Sequence, residues 1–240
     1  MTFGIGPAAE LLELSLPTFR DYARRHGYDV IVGDGASQGR PTAWGKVPLL
    51  REALNSYDFA FWIDADALIL DPDQDVEALI PRAAFQAYAQ VTAPPDVGLT
   101  PCTGVWALRG EDRTTRFLDL VWAQEDLIAH PWWEQAAVMR ASGWDLGTRP
   151  FRKMSSSEWD SGTHILPETW DMIPWFSIGY ASGVIRHYAA WQHELRAFDM
   201  RTDVAAMQGR RARYSVGLLE RQVRGRSRVA ATALRRMVTR

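Results

Sequence analysis

The sequence predicts an α/β fold in which helices cover a mixed central sheet. Stripes of apolar residues at helical spacing alternate along the chain with short apolar or aromatic runs that suit buried strands. One such run, Asp58 to Ile63, leads directly into two acids, Asp64 and Asp66. Alternation of strands and helices is typical of α/β domains, and in open α/β sheets ligands gather at the carboxyl ends of strands. The acids are therefore the first candidates for a functional site.

The helices are predicted from apolar periodicity and from stop signals. The first covers residues 8–26, where apolar side chains recur at spacings of three and four and Gly27 follows as a stop signal. Pro17 lies inside this segment and predicts a kink or a late start. Further helices are predicted at residues 45–56, 111–129 and 132–142.

The strands are predicted from short runs rich in apolar, aromatic or β-branched residues. Asp58 to Ile63 is the clearest, because it is too short for a confident helix. The predicted strands are Tyr28–Val32, Asp58–Ile63, Ala83–Tyr88, Gly104–Leu108 and Gly183–Tyr188.

Length and composition restrict the class of protein. The 240 residues suffice for one sizeable globular domain, and 47% hydrophobic with 23% charged residues argues against disorder. The single cysteine, Cys102, excludes an internal disulfide and a metal cage made of cysteines. No apolar run approaches the ~18 residues of a membrane span, and no signal peptide is expected at the N-terminus. We therefore expect a cytoplasmic protein.

The C-terminal segment differs from the rest in charge. Residues 209–240 hold ten arginines and one acid, so this tail carries +9 and residues 1–208 carry −11. We predict a domain at 1–208 and a tail at 209–240 that is helical or partly disordered. Apolar residues interleave with arginines over 215–240, which suits peripheral contact with an anionic membrane. A solvent-exposed terminal helix or a disordered end is the alternative, and no nucleic-acid partner is expected.

Asp64 and Asp66 predict a metal site. In an extended chain, residues i and i+2 point to the same side, so both carboxylates would converge. Two converging carboxylates repel unless a cation or a proton intervenes, and oxygen ligands favour Mg²⁺ or Mn²⁺. The alternative is that one of the two acids only caps the following turn.

Two other acidic motifs fit the same stretch poorly. A haloacid-dehalogenase-type phosphatase requires Asp-x-Asp-x-Thr, but Leu68 occupies the threonine position. A calcium loop that begins at Asp71 would have Val76 in place of its glycine and Arg82 in place of its final glutamate. The calcium loop is excluded, and the phosphatase motif is weakened.

Five motifs follow one another along the chain: Trp44-Gly-Lys46, Phe61-Trp-Ile-Asp-Ala-Asp-Ala67, Thr103-Gly-Val-Trp-Ala-Leu-Arg109, Trp133-Glu-Gln-Ala136 and Val184-Ile-Arg-His-Tyr188. In order and spacing they resemble glycosyltransferase family 34, and the resemblance spans about residues 3–193. The resemblance implies a GT-A fold, a nucleotide-sugar donor, a Mn²⁺-type ion and transfer with retention at the anomeric carbon. The expected acceptor is a saccharide or lipid-linked saccharide.

The family pattern also implies metal and donor residues. It places Asp64 and Asp66 at the metal and the donor diphosphate, with Ala65 between them in contact with the donor. Its late histidine, which completes the metal shell, falls on His187. Without the resemblance, His187 would be interpreted as a core histidine bonded to backbone.

Further donor residues follow from the same pattern or from their position beside it. Gly4 would contribute to the base-binding site from a first strand that spans only Met1–Ile5. Thr103 and Gly104 begin the strand that faces the sugar. Gly104 would permit close approach of a ligand, or it would simply form a bulge. Lys46, near a helix start, either approaches the anionic donor or is solvated.

The catalytic residues implied by the family are Gln135, near the anomeric carbon, and Glu134 beside it. Glu134 could instead be a charge that favours the first turn of a helix. An amide is a poor nucleophile, so the hypothesis for Gln135 is stabilisation of an oxocarbenium-like species during front-face substitution.

The sequence departs from the family at two places. Ala190, Trp191 and Gln192 occupy the stretch where a glycine and a phosphate-contacting lysine usually follow the histidine, and Trp133 replaces an acid. Two alternatives to a transferase stay open: a phosphatase or phosphoryl-transfer enzyme that uses Asp64 and Asp66, and a non-catalytic saccharide-binding module with aromatic surfaces.

Overall fold

The computed structural model describes residues 1–92, 98–174, 183–189 and 192–209. Backbone packing divides the chain into two units, Met1–Met200 and Arg201–Arg240. Because residues 210–240 lie outside the described part, the predicted boundary at residue 208 and the predicted membrane contact through 215–240 stay predictions. Within the described residues, no helix combines the length and apolarity needed to cross a bilayer.

Six α-helices and eight strands form the described part of the chain. The helices are α1 Ala8–His26, α2 Lys46–Ala53, α3 Val76–Leu79, α4 Asp112–Trp122, α5 Trp133–Ala141 and α6 His193–Met207. The strands are β1 Phe59–Ile63, β2 Ala67–Ile69, β3 Gln86–Thr92, β4 Leu99–Arg109, β5 Trp144–Asp145, β6 Arg152–Lys153, β7 Thr163–Leu166 and β8 Ile185–His187.

The four predicted helices are present, three of them shorter than predicted, whereas α3 and α6 are not among the predicted helices. Helix α1 begins at Ala8 and contains Pro17, so the late start is wrong. It ends at Gly27, whose φ of 76° is the left-handed conformation that glycine adopts at helix ends. The helix predicted at 111–129 is divided, because α4 ends at Trp122 and a short 3₁₀ turn follows at residues 125–127.

The main sheet is mixed, in the order β1-β4-β3-β7. Strands β1 and β3 both pair antiparallel with β4, and β7 pairs parallel with β3. The predicted strands Met1–Ile5 and Tyr28–Val32 are reduced to an isolated bridge between Thr2 and Val32, and the N–H of Ile63 in β1 also donates to the carbonyl of Met1 at 3.0 Å. The chain turns at Gly6, with φ of 57°, and enters α1 at Ala8, so few residues remain to extend that pairing.

The sheet separates two hydrophobic clusters, because alternate residues of a strand point to opposite faces. Trp62 of β1 and Trp106 of β4 belong to one cluster, together with apolar side chains of α2, α4 and α5. Ile63 and Val105 belong to the other, together with side chains of α1, β2 and β8. Both faces of the sheet are therefore covered.

A two-stranded ribbon places distant parts of the chain together beyond the end of β1. Strand β2 pairs antiparallel with β8, and Ala67 lies opposite His187. The backbone N–H of Tyr188 donates to the carbonyl of Asp66 at 2.8 Å. This register brings His187 beside the acids that follow β1.

Candidate active site

Asp64 and Asp66 converge, although not for the predicted reason. Residues 65 and 66 form a turn rather than extended chain, and the N–H of Ala67 donates to the carbonyl of Asp64 at 3.1 Å. Asp64 Oδ2 lies 3.8 Å and Asp66 Oδ1 lies 3.4 Å from His187 Nε2. The assumption of an extended chain is wrong, but both carboxylates face the same point.

The other nitrogen of His187 is held by an acid that the sequence analysis missed. His187 Nδ1 lies 2.8 Å from Oδ1 of Asp171, whose side chain is completely buried. Burial lowers the pKa of His187, but Asp171 and Asp66 outweigh it and raise the pKa well above the ordinary value. Asp171 fixes the ring so that Nε2 is presented to Asp64 and Asp66. As an isolated acid, Asp171 gives no pattern in the sequence.

Gly104 makes room for this ring. A Cβ atom at position 104 would lie 2.1 Å from His187 Cε1 and 2.6 Å from His187 Nδ1. What approaches Gly104 in the folded chain is therefore the His187 imidazole, which packs directly against β4.

The residues present fit a divalent cation. Ligand atoms of Asp64, Asp66 and His187 lie within 4.8 Å of one another, and two carboxylates with an imidazole suit Mn²⁺. A second group, Cys102, Asp171 and His187, also satisfies this spacing but is entirely buried. Burial, together with Asp171, raises the pKa of Cys102 to about 12, so its thiol remains protonated and is a poor ligand. The first group is the better metal site.

Lys46 is buried within the site and not solvated. Its Nζ lies 3.0 Å from Asp64 Oδ1 and 2.8 Å from Glu134 Oε1. Burial disfavours the charged amine, yet the two carboxylates raise the pKa of Lys46 above its ordinary value. Trp62 Nε1 also donates to Asp64 Oδ1, at 2.6 Å. Both donors hold Oδ1 and leave Oδ2 turned toward His187.

Glu134 and Gln135 are tied to β4 through Thr103. Glu134 lies in the first turn of α5 but is buried, and its Oε1 accepts from Thr103 Oγ1 at 3.0 Å. Burial raises the pKa of Glu134 although Lys46 opposes this. Gln135 Oε1 accepts from the N–H of Thr103 at 3.2 Å. A chain of contacts thus links α5 through Lys46 to Asp64.

These groups line one cavity of about 610 Å³. The predicted site residues that line it are Lys46, Asp64, Ala65, Asp66, Thr103, Gly104, Glu134, Gln135 and His187. Gly4 is not among the lining residues; a Cβ there would lie 2.5 Å from the carbonyl oxygen of Ala8, so Gly4 packs against α1. Trp132 and Trp133 also line the cavity.

Arg196 is a further lining residue that the sequence analysis missed. It lies on α6, and its Nη1 lies 2.7 Å from Asp66 Oδ2. Burial raises the pKa of Asp66, but His187 and Arg196 outweigh it and hold that pKa below its usual range. Of the lysines and arginines in the described part of the chain, Lys46 and Arg196 line the cavity.

The stretch after His187, where the family usually has a glycine and a phosphate-contacting lysine, is only partly described. Residues 190 and 191 lie outside the described residues, and Gln192 is exposed.

Residues 7–89 match the model of the galactosyl transferase GMA12/MNN10 family, Glyco_transf_34. This match includes the segment that carries Asp64 and Asp66. A search of curated proteins found no match. The family resemblance inferred from the five motifs is therefore confirmed over the first part of the chain.

Solved glycosyltransferases share the fold at low sequence identity. A glycosyltransferase involved in glycosylation of the major capsid of PBCV-1 aligns with a TM-score of 0.61 and 12% identity, over 84% of this chain and 97% of that chain. The galactosyltransferase LgtC, solved with donor and acceptor sugar analogs, aligns with a TM-score of 0.53 and 9% identity, over 88% and 96%. GlyE of Streptococcus pneumoniae TIGR4 aligns with 0.50 and 13%, over 87% and 62%. These likenesses confirm the predicted α/β class as the GT-A fold.

Proposed function

The chain is a glycosyltransferase of the GT-A fold, and from this premise we propose that it moves a sugar from a UDP- or GDP-sugar to a saccharide or glycolipid hydroxyl. The proposal includes a divalent cation, Mn²⁺ or Mg²⁺, and retention at the anomeric carbon. The observation that carries it is the convergence of Asp64, Asp66 and His187 on one wall of the cavity.

Asp64, Asp66 and His187 are the residues that would hold the cation. When bound, the cation stabilises the negative charge that develops on the departing nucleotide diphosphate. The surrounding residues set the ligands in place beforehand. Asp171 orients His187 through Nδ1, while Lys46 and Trp62 fix Asp64 through Oδ1. Ligands held in this way need little rearrangement when the donor arrives.

Gln135 and Glu134, beside the proposed position of the transferred sugar, have different roles. Glu134 is a positioning residue, because its buried Oε1 is engaged by both Lys46 and Thr103. Gln135 lines the cavity, and its amide is held by the Thr103 N–H. A neutral amide dipole beside the anomeric carbon stabilises the oxocarbenium-like character of front-face substitution, which forms no covalent bond between protein and sugar.

The acceptor is proposed to bind near Trp132 and Trp133. Both line the cavity next to Glu134 and Gln135, and Trp133 is 45% exposed. Indole rings offer flat apolar faces on which the C–H face of a pyranose packs. LgtC was solved with both donor and acceptor sugar analogs, which is consistent with a fold that holds two substrates together.

Donor turnover tests the proposal. The purified chain is incubated with a panel of UDP- and GDP-sugars and Mn²⁺, and the release of nucleotide and of inorganic phosphate is measured. We expect release of UDP or GDP that EDTA stops. Asp66→Asn should reduce this release at least ~100-fold, because it removes one anionic ligand. Asp112→Asn, at an exposed acid in the first turn of α4, is the matched control.

Two outcomes would contradict the proposal. Inorganic phosphate without nucleotide release would indicate a phosphatase that uses Asp64 and Asp66. Binding of saccharides without turnover of any donor would indicate a non-catalytic module.

A further inference from the structure

We propose that Arg196 is the cationic group that binds the donor diphosphate. On binding, its contact with Asp66 is exchanged for contacts with phosphate oxygens. This inference rests on the proposed function, because it needs a diphosphate ligand in the cavity. Nothing in the sequence pattern marks Arg196, which lies nine positions after His187 on a different element.

The charged side chains that line the cavity differ in how exposed they are and in how far their charges are already neutralised. The described lining residues include the acids Asp64, Asp66 and Glu134 and the cations Lys46 and Arg196. The side chain of Lys46 is only 4% exposed and spans Asp64 and Glu134, so its charge is neutralised inside the wall. The side chain of Arg196 is 30% exposed, so its guanidinium can meet an anion that enters the cavity.

Arg196 contacts one of the proposed metal ligands, Asp66. Its Nη1 donates to Asp66 Oδ2 at 2.7 Å, while Asp66 Oδ1 faces His187. Arg196 therefore neutralises the carboxylate that a divalent cation would use. If a cation held by Asp64, Asp66 and His187 balanced that charge, the Arg196 guanidinium would be released from Asp66 and could bind phosphate oxygens. Its planar fork can then form paired hydrogen bonds to phosphate.

If Arg196 exchanges Asp66 for phosphate oxygens, its removal should have a different effect from the removal of a purely structural ion pair. If Arg196 competes with the cation for Asp66, its removal should help the cation bind alone and hinder a diphosphate bound with the cation. If it only fastens α6 to the turn at Asp66, its removal should weaken both or neither.

The experiment measures two affinities in the full chain. Mn²⁺ alone is titrated by electron paramagnetic resonance, and UDP, GDP and pyrophosphate are titrated by calorimetry at saturating Mn²⁺. We expect Arg196→Gln to bind Mn²⁺ alone as tightly as the parent chain or a few-fold more tightly. It should bind the diphosphates about 10- to 100-fold more weakly. Arg196→Lys should recover part of this loss, because it keeps the charge without the fork.

The control is Arg116→Gln, which removes the same charge from an exposed position on α4. It should change neither affinity, and thermal melts establish that each variant is folded. Unchanged diphosphate affinity in Arg196→Gln, or equal losses for Mn²⁺ and diphosphate, would overturn the inference. Should the parent chain bind pyrophosphate but neither UDP nor GDP, the proposed function fails. A selective pyrophosphate loss in Arg196→Gln would still support the Arg196 site.

Discussion

A single missing methyl group decides whether the imidazole of His187 can reach the acids. Gly104 lies within β4, where a side chain would ordinarily improve packing and reduce backbone freedom. Here the space above its Cα is filled by the His187 ring, and a Cβ would overlap Cε1 at 2.1 Å. A side chain at position 104 would restrict the backbone but exclude the His187 ring from the proposed metal site, and glycine leaves room for the ring.

Gly104→Ala should therefore damage the metal site more than the fold. The added methyl forces the His187 ring away from Asp64 and Asp66, so we expect Mn²⁺ affinity to fall at least ~10-fold. Overpacking should lower the free energy of unfolding by about 1–3 kcal/mol. Electron paramagnetic resonance and denaturant melts measure the two effects. Gly147→Ala, whose Cβ would meet only the Asp145 carboxylate at 3.2 Å, is the control. Wild-type Mn²⁺ affinity in Gly104→Ala would show that the ring is not held as described.

At the scale of elements, the first three residues of α5 face three different parts of the site. Trp133 has φ of 45°, a left-handed conformation that costs a bulky residue on the order of 1–3 kcal/mol. This backbone lets the indole lie at the cavity while Glu134 turns inward to Lys46 and Gln135 meets Thr103. Because Trp133 is strained and lies beside the proposed catalytic residues, we infer that its indole contacts a ligand.

Trp133→Ala should weaken the acceptor and leave the diphosphate contacts in place. Because the indole is the proposed stacking surface, we expect the rate of sugar transfer at low acceptor concentration to fall about 10-fold or more. UDP affinity at saturating Mn²⁺ should stay within about twofold. Acceptors are taken from saccharides that the parent chain glycosylates, and Trp133→Phe, which keeps an aromatic face, serves as the control. Equal transfer rates in the alanine and parent chains would remove Trp133 from the acceptor site.

The sequence reveals elements whose signals are local and misses those made by distant pairing. Helix α1 follows from its apolar periodicity and the stop signal at Gly27, and strand β1 follows from a short apolar and aromatic run. The β2–β8 ribbon joins segments more than one hundred residues apart, so no local pattern contains its register. His187 was found through the family resemblance, whereas Asp171 and Arg196 are single charges whose partners become visible only in the fold.

On the scale of the whole molecule, the cavity and the side chains behind it bring several carboxylates together. Asp64, Asp66 and Glu134 line the cavity and Asp171 is buried behind His187, while Lys46, Arg196 and His187 supply the balancing positive charge among the described residues. Several of these groups are buried, so each carboxylate depends on a partner for its charge. The cluster includes Asp64 and Asp66, which lie between the end of β1 and the start of the ribbon. Its electrostatics should therefore influence the stability of the folded domain.

Binding of the cation should consequently stabilise the fold. Because Mn²⁺ would bind the assembled ligands and not the unfolded chain, a concentration 100 times its Kd should add about 2.7 kcal/mol to the free energy of unfolding. For a chain of this size, the thermal midpoint should rise by roughly 5–10 °C. EDTA should reverse the shift and Asp66→Asn should abolish it, whereas Asp112→Asn should retain it, as measured by differential scanning calorimetry. An equal shift in Asp66→Asn would mean that the stabilising ion binds elsewhere, and the site at Asp64, Asp66 and His187 would lose its support.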